Sequence, residues 1–203
     1  MFVKLMNSLT VAKKVAFASV LSALRRSDYR TWGDASNLDP EWDERSKILA
    51  SLVPPGSRVI EFGAGRLALQ NFLPPGCHYT PSDLVDRGGG TVVLDLNAAT
   101  LPDLGRYDVA IFGGVLEYVF DLDRLAEHVS KVAGTVIFSY VASRLYSKPV
   151  ERRLRGWVNN FSGDEVVGIF ERAGFICDQR TYWNHSVLCR MGINQKATES
   201  ANT

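Results

Sequence analysis

The chain has 203 residues, 46% of them hydrophobic, which is enough for one domain with a sizeable core. A net charge of +1 with 22% charged residues gives no global field for nucleic acid, so none is expected as a partner, and any charged partner has to meet a local patch. Cys77, Cys177 and Cys189 are odd in number, widely spaced and without a C-x-x-C pair, which argues against a disulfide framework or a structural zinc and points to a reducing cytoplasm.

In chain order, Lys13-Lys14 precede an apolar run from Val15 to Leu24 that ends at Arg25-Arg26. The run is too short to span a bilayer as a helix, and Leu24-Arg25 makes a poor cleavage site for a signal peptide. A helix covering the domain is the first reading; a basic helix on a membrane surface is the second, and a cleaved signal the third. Residues 1–44 are thus an N-terminal helical extension. Its aromatic and charged stretch from Tyr29 onward makes Trp32, Trp42 and the adjoining Arg45 candidates for a lid over a site.

From residue 57 the chain alternates β-branched runs with helical periodicity, the pattern of an α/β domain with a mostly parallel sheet. Strands are predicted at Arg58 to Phe62, Tyr79 to Asp83, Thr91 to Leu94, Val109 to Phe112 and Thr135 to Tyr140. Leu122, Leu125, Ala126 and Val129 recur at helical spacing, with Gly134 as a left-handed stop. Pro149 opens a second helix carrying Val150, Leu154, Trp157 and Val158 on one face. Ser162 and Glu165 form a capping box for a third, which Gly174 ends. Phe175 to Trp183 and Val187 to Met191 read as an antiparallel hairpin turning at Asn184-His185-Ser186, and residues 194–203 as a mobile tail.

The first strand runs into Gly63-Ala64-Gly65, a turn into a helix where the backbone can approach a nucleotide because no Cβ intervenes. Gly63, Gly65 and Ala68 also satisfy the dinucleotide pattern G-x-G-x-x-G/A, and Asp83 follows at the distance of a ribose-binding acid, so a nicotinamide cofactor stays open on the loop alone. Glu61-Phe62-Gly63-Ala64-Gly65, however, resembles the first motif of the class I S-adenosylmethionine-dependent methyltransferases. Tyr107 to Val119, with its Gly113-Gly114 turn, looks like that family's fourth strand and the loop after it, and the terminal hairpin is similar to its departure from an all-parallel sheet.

The resemblance covers residues 45–193. It implies a Rossmann-like, mostly parallel seven-stranded sheet with an antiparallel C-terminal hairpin strand and helices on both faces. It implies S-adenosylmethionine as cofactor: Glu61 on the methionine end, Gly63 and Gly65 at the backbone approach, Asp83 on the ribose, Leu84 on the adenine, Asp95 with Leu96 near the adenine amino group, and Gly113 against the methionine portion. Leu67 stands where the family often has a further glycine, Tyr118 where it often has histidine, and Pro81 falls within the second strand.

A sulfonium cofactor is already activated, so the protein mainly positions the acceptor and excludes water. Tyr118, Glu117 and His185 are candidate general bases, with plain alternatives as a packed ring, a helix-start carboxylate and a turn residue. His128 beside Glu127 reads as a solvated helix face, and Asp121 and Asp123 as a helix N-cap rather than a metal site. Arg144, Lys148, Arg152, Arg153 and Arg155 form a basic cluster after the fifth strand, a solvated face or a site for an acidic acceptor. The expectation is a monomeric or weakly associating enzyme transferring methyl to oxygen or nitrogen of a small-molecule or sugar-like acceptor. A non-catalytic methyltransferase-like binding module is the alternative.

Overall fold

Runs of apolar β-branched and aromatic residues without polar alternation have no face to offer water, and they are buried as the middle of a sheet. The structure, a computed structural model, describes residues 2–194, with side chains from residue 11 on. The strands are β1 (Arg58–Phe62), β2 (His78–Asp83), β3 (Val92–Val93), β4 (Tyr107–Gly113), β5 (Ala133–Val141), β6 (Phe175–Trp183) and β7 (Ser186–Ile193). They form one seven-stranded sheet in the order β3-β2-β1-β4-β5-β7-β6. β1 to β5 pair in parallel, and β7 runs antiparallel to both β5 and β6. This is the expected mostly parallel sheet with a C-terminal hairpin. The expected tail lies outside the described residues except for Asn194, whose N–H donates to the Gly174 carbonyl at 2.8 Å.

The period of two along each strand sorts side chains to two cores. Ile60, Phe62, Ala110, Phe112, Val136 and Phe138 face α4 (Leu122–Val132) and α6 (Gly163–Arg172). Val59, Val109, Ile111 and Ile137 face Leu49, Ala50 and Val53 at the end of α3 (Asp43–Ala50). Phe62 stacks on Phe112 with ring centroids 4.7 Å apart, and Phe138 on Phe170 at 5.2 Å, each pair adding about 1 kcal/mol beyond burial. Asp121 caps α4 through the Arg124 N–H at 3.0 Å, and Ser162 with Glu165 closes the capping box of α6. The second core is the thinner one. It has α3 and a single 3-10 turn at Ala68–Asn71, because no α-helix follows the glycine loop.

Four local expectations need correcting. The turn into a helix after Gly65 is that short 3-10 turn. Gly134 does not stop α4; it lies in β5, which starts directly at Ala133. The helix opened by Pro149, α5 (Pro149–Leu154), ends before Gly156, whose φ of 78° reverses the chain, so Trp157 and Val158 leave the helix. His128 is half-buried with its Nε2 shielded from water, not solvated. Pro81 is accommodated inside β2 because β3 pairs only with Ser82 and Asp83, so the outer ladder has not begun where the proline lacks its donor. Two more helices precede the sheet, α1 (Phe2–Ala23) and α2 (Tyr29–Gly33).

Leu67 keeps the left-handed backbone that a glycine would adopt without strain, at φ 59° and ψ 25°. For a residue with a Cβ this costs about 1–2 kcal/mol, and a β-branched residue fares worse than asparagine there. Leu67→Val is therefore expected to melt below Leu67→Asn by roughly 2–4 °C in thermal unfolding, although valine keeps the apolar surface and asparagine does not. The opposite order would show that the position is governed by side-chain burial.

Candidate functional site

The chain leaves β1 for one side of the sheet and later returns to β4 on the other, so the carboxyl ends of these two strands bound a crevice. Gly63-Ala64-Gly65 follows β1 and Gly113-Gly114 ends and follows β4. The Gly63 and Ala64 N–H groups donate to the Ser82 carbonyl at 2.8 and 3.0 Å, which pins the loop to β2. A Cβ on Gly63, at φ 71°, would lie 2.3 Å from Val115 Cγ2, and one on Gly114, at φ 69°, would lie 2.4 Å from Arg45 Nη1. Both positions are thus closed to side chains by backbone conformation and by a neighbour.

Parity puts Glu61 on the α3 face with Val59, and the residue is only 5% exposed. Its Oε2 accepts from the Tyr79 hydroxyl at 2.5 Å. Tyr79 shares the face because Glu61 registers with Pro81, two residues on. Burial pushes the Glu61 carboxyl up to about 8, against the opposing pull of the Tyr79 hydrogen bond and of the Arg45 charge, so it is largely neutral at pH 7. Arg45, from the first turns of α3, keeps part of its side chain exposed and lies 5.5 Å from the Trp42 ring, while its Nε is shielded from water without a partner. Burial lowers its pKa, and Glu117, Tyr118 and Glu61 pull it back up. The backbone of Gly113 separates the two groups, since a Cβ there would be 3.9 Å from Arg45 Nε and 4.0 Å from Glu61 Oε1.

Asp83 ends β2 with both oxygens engaged. Oδ2 accepts from the Gly65 N–H at 2.8 Å, and Oδ1 pairs with Arg87 at 3.2 Å in a buried ion pair. Arg87 also donates to the Trp32 carbonyl, tying α2 to the site. Leu84 is half-buried beside Asp83. Asp95 lies beyond β3 and accepts from Ser27 Oγ at 2.7 Å, the Tyr29 hydroxyl at 3.2 Å and the Asn97 N–H at 2.8 Å. The Leu96 side chain belongs to the α4 core, not to the crevice. The structure therefore gathers Glu61, Gly63, Gly65, Asp83 and Gly113 around one crevice and connects Asp95 to the N-terminal segment. Tyr79, Arg87 and Asn97 were not singled out from the sequence. Strand parity relative to Glu61 marks the first and the four-residue spacing from Asp83 the second.

The three candidate bases differ. Glu117 is buried; its Oε1 accepts from the Val141 N–H at 2.7 Å while Oε2 has no partner, and burial raises its pKa. Tyr118 accepts from Trp157 Nε1 at 3.0 Å, and burial together with the neighbouring Glu117 raises its pKa, so it stays a neutral phenol. His185 sits in the β6–β7 turn with its ring 5.1 Å from Tyr146. Ring contacts, with the Trp157–Tyr118 hydrogen bond between them, link Tyr118 and His185 to the lid candidates: Trp42 to Trp32 at 6.4 Å, Trp32 to Tyr118 at 5.0 Å, and Trp157 to Tyr146 at 5.9 Å. The row crosses the carboxyl end of the sheet.

No family model matches the chain, and no curated protein does. Solved structures do. The 1,6-didemethyltoxoflavin-N1-methyltransferase of Burkholderia thailandensis, solved with 1,6-didemethyltoxoflavin and S-adenosylhomocysteine, superposes with a TM-score of 0.61 at 18% identity, covering 89% of this chain and 90% of that one. A SAM-dependent methyltransferase of Aquifex aeolicus gives 0.59 at 18% identity over 79% and 99%. The magnesium protoporphyrin IX methyltransferase of Synechocystis PCC 6803, with bound S-adenosylhomocysteine, gives 0.56 at 19% identity over 76% and 83%. With its sheet order, its terminal hairpin and these likenesses, the chain has the fold of the class I S-adenosylmethionine-dependent methyltransferases.

Proposed function

We propose that the crevice binds S-adenosylmethionine and that the chain transfers its methyl group to oxygen or nitrogen of a small-molecule acceptor. One observation carries this reading: a buried carboxyl, Glu61, and a guanidinium with a shielded, unpartnered Nε, Arg45, flank a wall of bare glycine backbone. A buried acid and a buried cation, each incompletely satisfied, are matched by a zwitterion, whose ammonium meets Glu61 and whose carboxylate meets Arg45. The methionine end of the cofactor is such a group. Asp83 holds the ribose once Arg87 yields an oxygen, Leu84 packs on the adenine, and Asp95 meets its amino group. Gly63, Gly65 and Gly113 admit the chain of the cofactor closely.

The cofactor, when bound, supplies the activated methyl group; the protein's part is to orient the acceptor and exclude water. A neutral Tyr118 and a raised Glu117 do not favour proton removal in the resting state, so positioning is the main contribution, with Tyr118 and Glu117 offering hydrogen bonds and His185 the remaining imidazole for a proton. Two neighbours are named for a small heterocycle and a porphyrin, which supports a small-molecule acceptor over a polymer. A non-catalytic binding module is the second reading, favoured by the hold of Ser27, Tyr29 and Arg87 on Asp95 and Asp83. Cofactor binding without transfer of labelled methyl to any of a panel of hydroxyl and amine acceptors would select it.

Calorimetry tests the cofactor. S-adenosylhomocysteine is expected to bind, and at pH 7 to release protons in buffers of differing ionisation heat as Glu61 ionises against the ammonium. Glu61→Gln removes the release and weakens binding; no heat from S-adenosylmethionine or its demethylated product at millimolar concentration rejects the proposal. Arg45→Met is expected to cost affinity roughly 10–100-fold while changing the melting temperature little, because the burial of the guanidinium and its shielded Nε offset its attraction to Glu61 and Glu117 in the free protein. A large fall in melting temperature would make Arg45 structural.

Glu61 contributes its own pH slope to the stability of the ligand-free chain. Glu61 keeps its proton in the folded state up to about 8, whereas its ordinary value is 4.5, so the unfolded chain binds fewer protons across that window. The stability present below 4.5 is lost as pH rises toward 8, and denaturant unfolding should show it. The slope should be shallower in Glu61→Gln, and an equal slope in that variant would assign it elsewhere.

A further inference from the structure

α1 rests on the surface with no buried residue among those whose side chains are described. Val15, Ala18, Leu21 and Ser22 are half-buried and turn inward, whereas Phe17, Val20 and Leu24 are 44%, 55% and 60% exposed. Those three stand at i, i+3 and i+7, one stripe along the outer side of the helix and its closing turn, where the Leu24 N–H still bonds to the Val20 carbonyl at 3.0 Å. Single exposed apolar residues are ordinary; an aligned stripe of three on a long helix marks a contact surface. Lys13 continues the same stripe one turn earlier, Lys14 flanks it, and Arg25 and Arg26 close its other end, all four exposed. In sequence, Lys4 adds to this charge, and no carboxylate occurs before Asp28. α1 packs on α5, next to which Arg144, Leu145, Lys148 and Arg155 are exposed and on which Val150 is 62% exposed.

We propose that α1 with the adjoining α5 seats the protein on the surface of an anionic phospholipid bilayer. Phe17, Val20 and Leu24 enter the boundary between headgroups and acyl chains, and Lys13, Lys14, Arg25 and Arg26 meet lipid phosphates. The helix lies in the plane of the surface, since no described helix is long and apolar enough to cross a membrane. A second copy of the chain fits worse. A two-fold axis through the stripe would set lysines against arginines with the helices antiparallel and like against like with them parallel, with no carboxylate on the face to offset either. An anionic bilayer answers both halves of the surface, giving an apolar layer to the stripe and phosphate to the charges at its ends. A cavity of about 560 Å³ shares Phe17, Arg25 and Arg26 with this face and reaches Asp95 and Asn97, so docking puts its mouth at the lipid–water boundary. The proposal holds whether or not the chain transfers methyl groups.

Co-sedimentation of the full chain with vesicles tests it. Binding is expected to mixed phosphatidylcholine–phosphatidylglycerol vesicles, to fall with added salt, and to be weak or missing with phosphatidylcholine alone. Lys13→Gln with Lys14→Gln should lower the affinity roughly 30-fold, at about 1 kcal/mol per charge. Phe17→Ser with Leu24→Ser should lower it by about tenfold or more through lost insertion. Circular dichroism and melting temperature should match the parent in both, since all four positions are exposed. The proposal is overturned by absence of binding to the anionic vesicles, by equal binding to neutral ones, or by undiminished binding of both variants. It is also overturned by a lipid-free dimer in light scattering that Phe17→Ser with Leu24→Ser dissociates, which would make the stripe a contact between copies.

Discussion

A carboxyl group buried in the middle of a parallel sheet has to be protonated, hydrogen-bonded or matched by a cation, and Glu61 partly meets all three conditions. Much of the crevice follows from that constraint. Tyr79 is needed on the adjacent strand at the same parity, α3 has to bring Arg45 across that face, and Gly113 and Gly114 have to stay bare so that the guanidinium can pass. Each of these is a cost in the free chain: a shielded donor on Arg45, a neutralised acid, and glycines in a strand end and a left-handed turn. Costs concentrated at one place while the cores on either side are well packed are characteristic of a site kept for a ligand.

The N-terminal segment is the second organising feature. Ser27 and Tyr29 hold Asp95, the Trp32 carbonyl holds Arg87 against Asp83, Leu38 lies close to Gly65, and Trp32 leans on Tyr118. Five contacts thus join residues before the sheet to positions at the ends of its first four strands. The segment has little burial of its own, since none of the residues from α2 to the start of α3 is buried. Its hold is polar and aromatic rather than a hydrophobic core, the kind of attachment that opens locally at low free-energy cost.

The strands and the hairpin were legible because burial on both faces leaves a plain signature, an unbroken apolar run between turn residues, and the capping box of α6 was legible from Ser162 and Glu165 alone. What escaped was settled between distant residues. Gly134 has the composition of a helix stop, but pairing with β4 draws it into β5. Trp157 continues the periodicity of α5, yet its indole is claimed by Tyr118. At the site, Glu61, Gly63, Gly65, Asp83 and Gly113 could be located because each is set by its distance from a strand end. Arg87 and Tyr79 carry a signal only once Asp83 and Glu61 are taken as fixed points, through the four-residue spacing and the strand parity. Leu67 was marked as a departure by identity, and it takes a left-handed backbone conformation that a glycine would adopt without strain.

The two outer strands have a meaning of their own. β3 pairs over only two residues, and β6 has a register shift between Cys177 and Gln179 with Asp178 and Arg180 beside it, each engaged in an ion pair. An open β-edge invites another chain to add a strand, and shortness, bulges and charge are the usual deterrents. Exposed Ile176 and Tyr182 lie on the bulged strand, where a flat edge would be most adhesive. The sheet is thus terminated at both ends by irregularity, which leaves neither edge a long flat template on which another chain could add a strand.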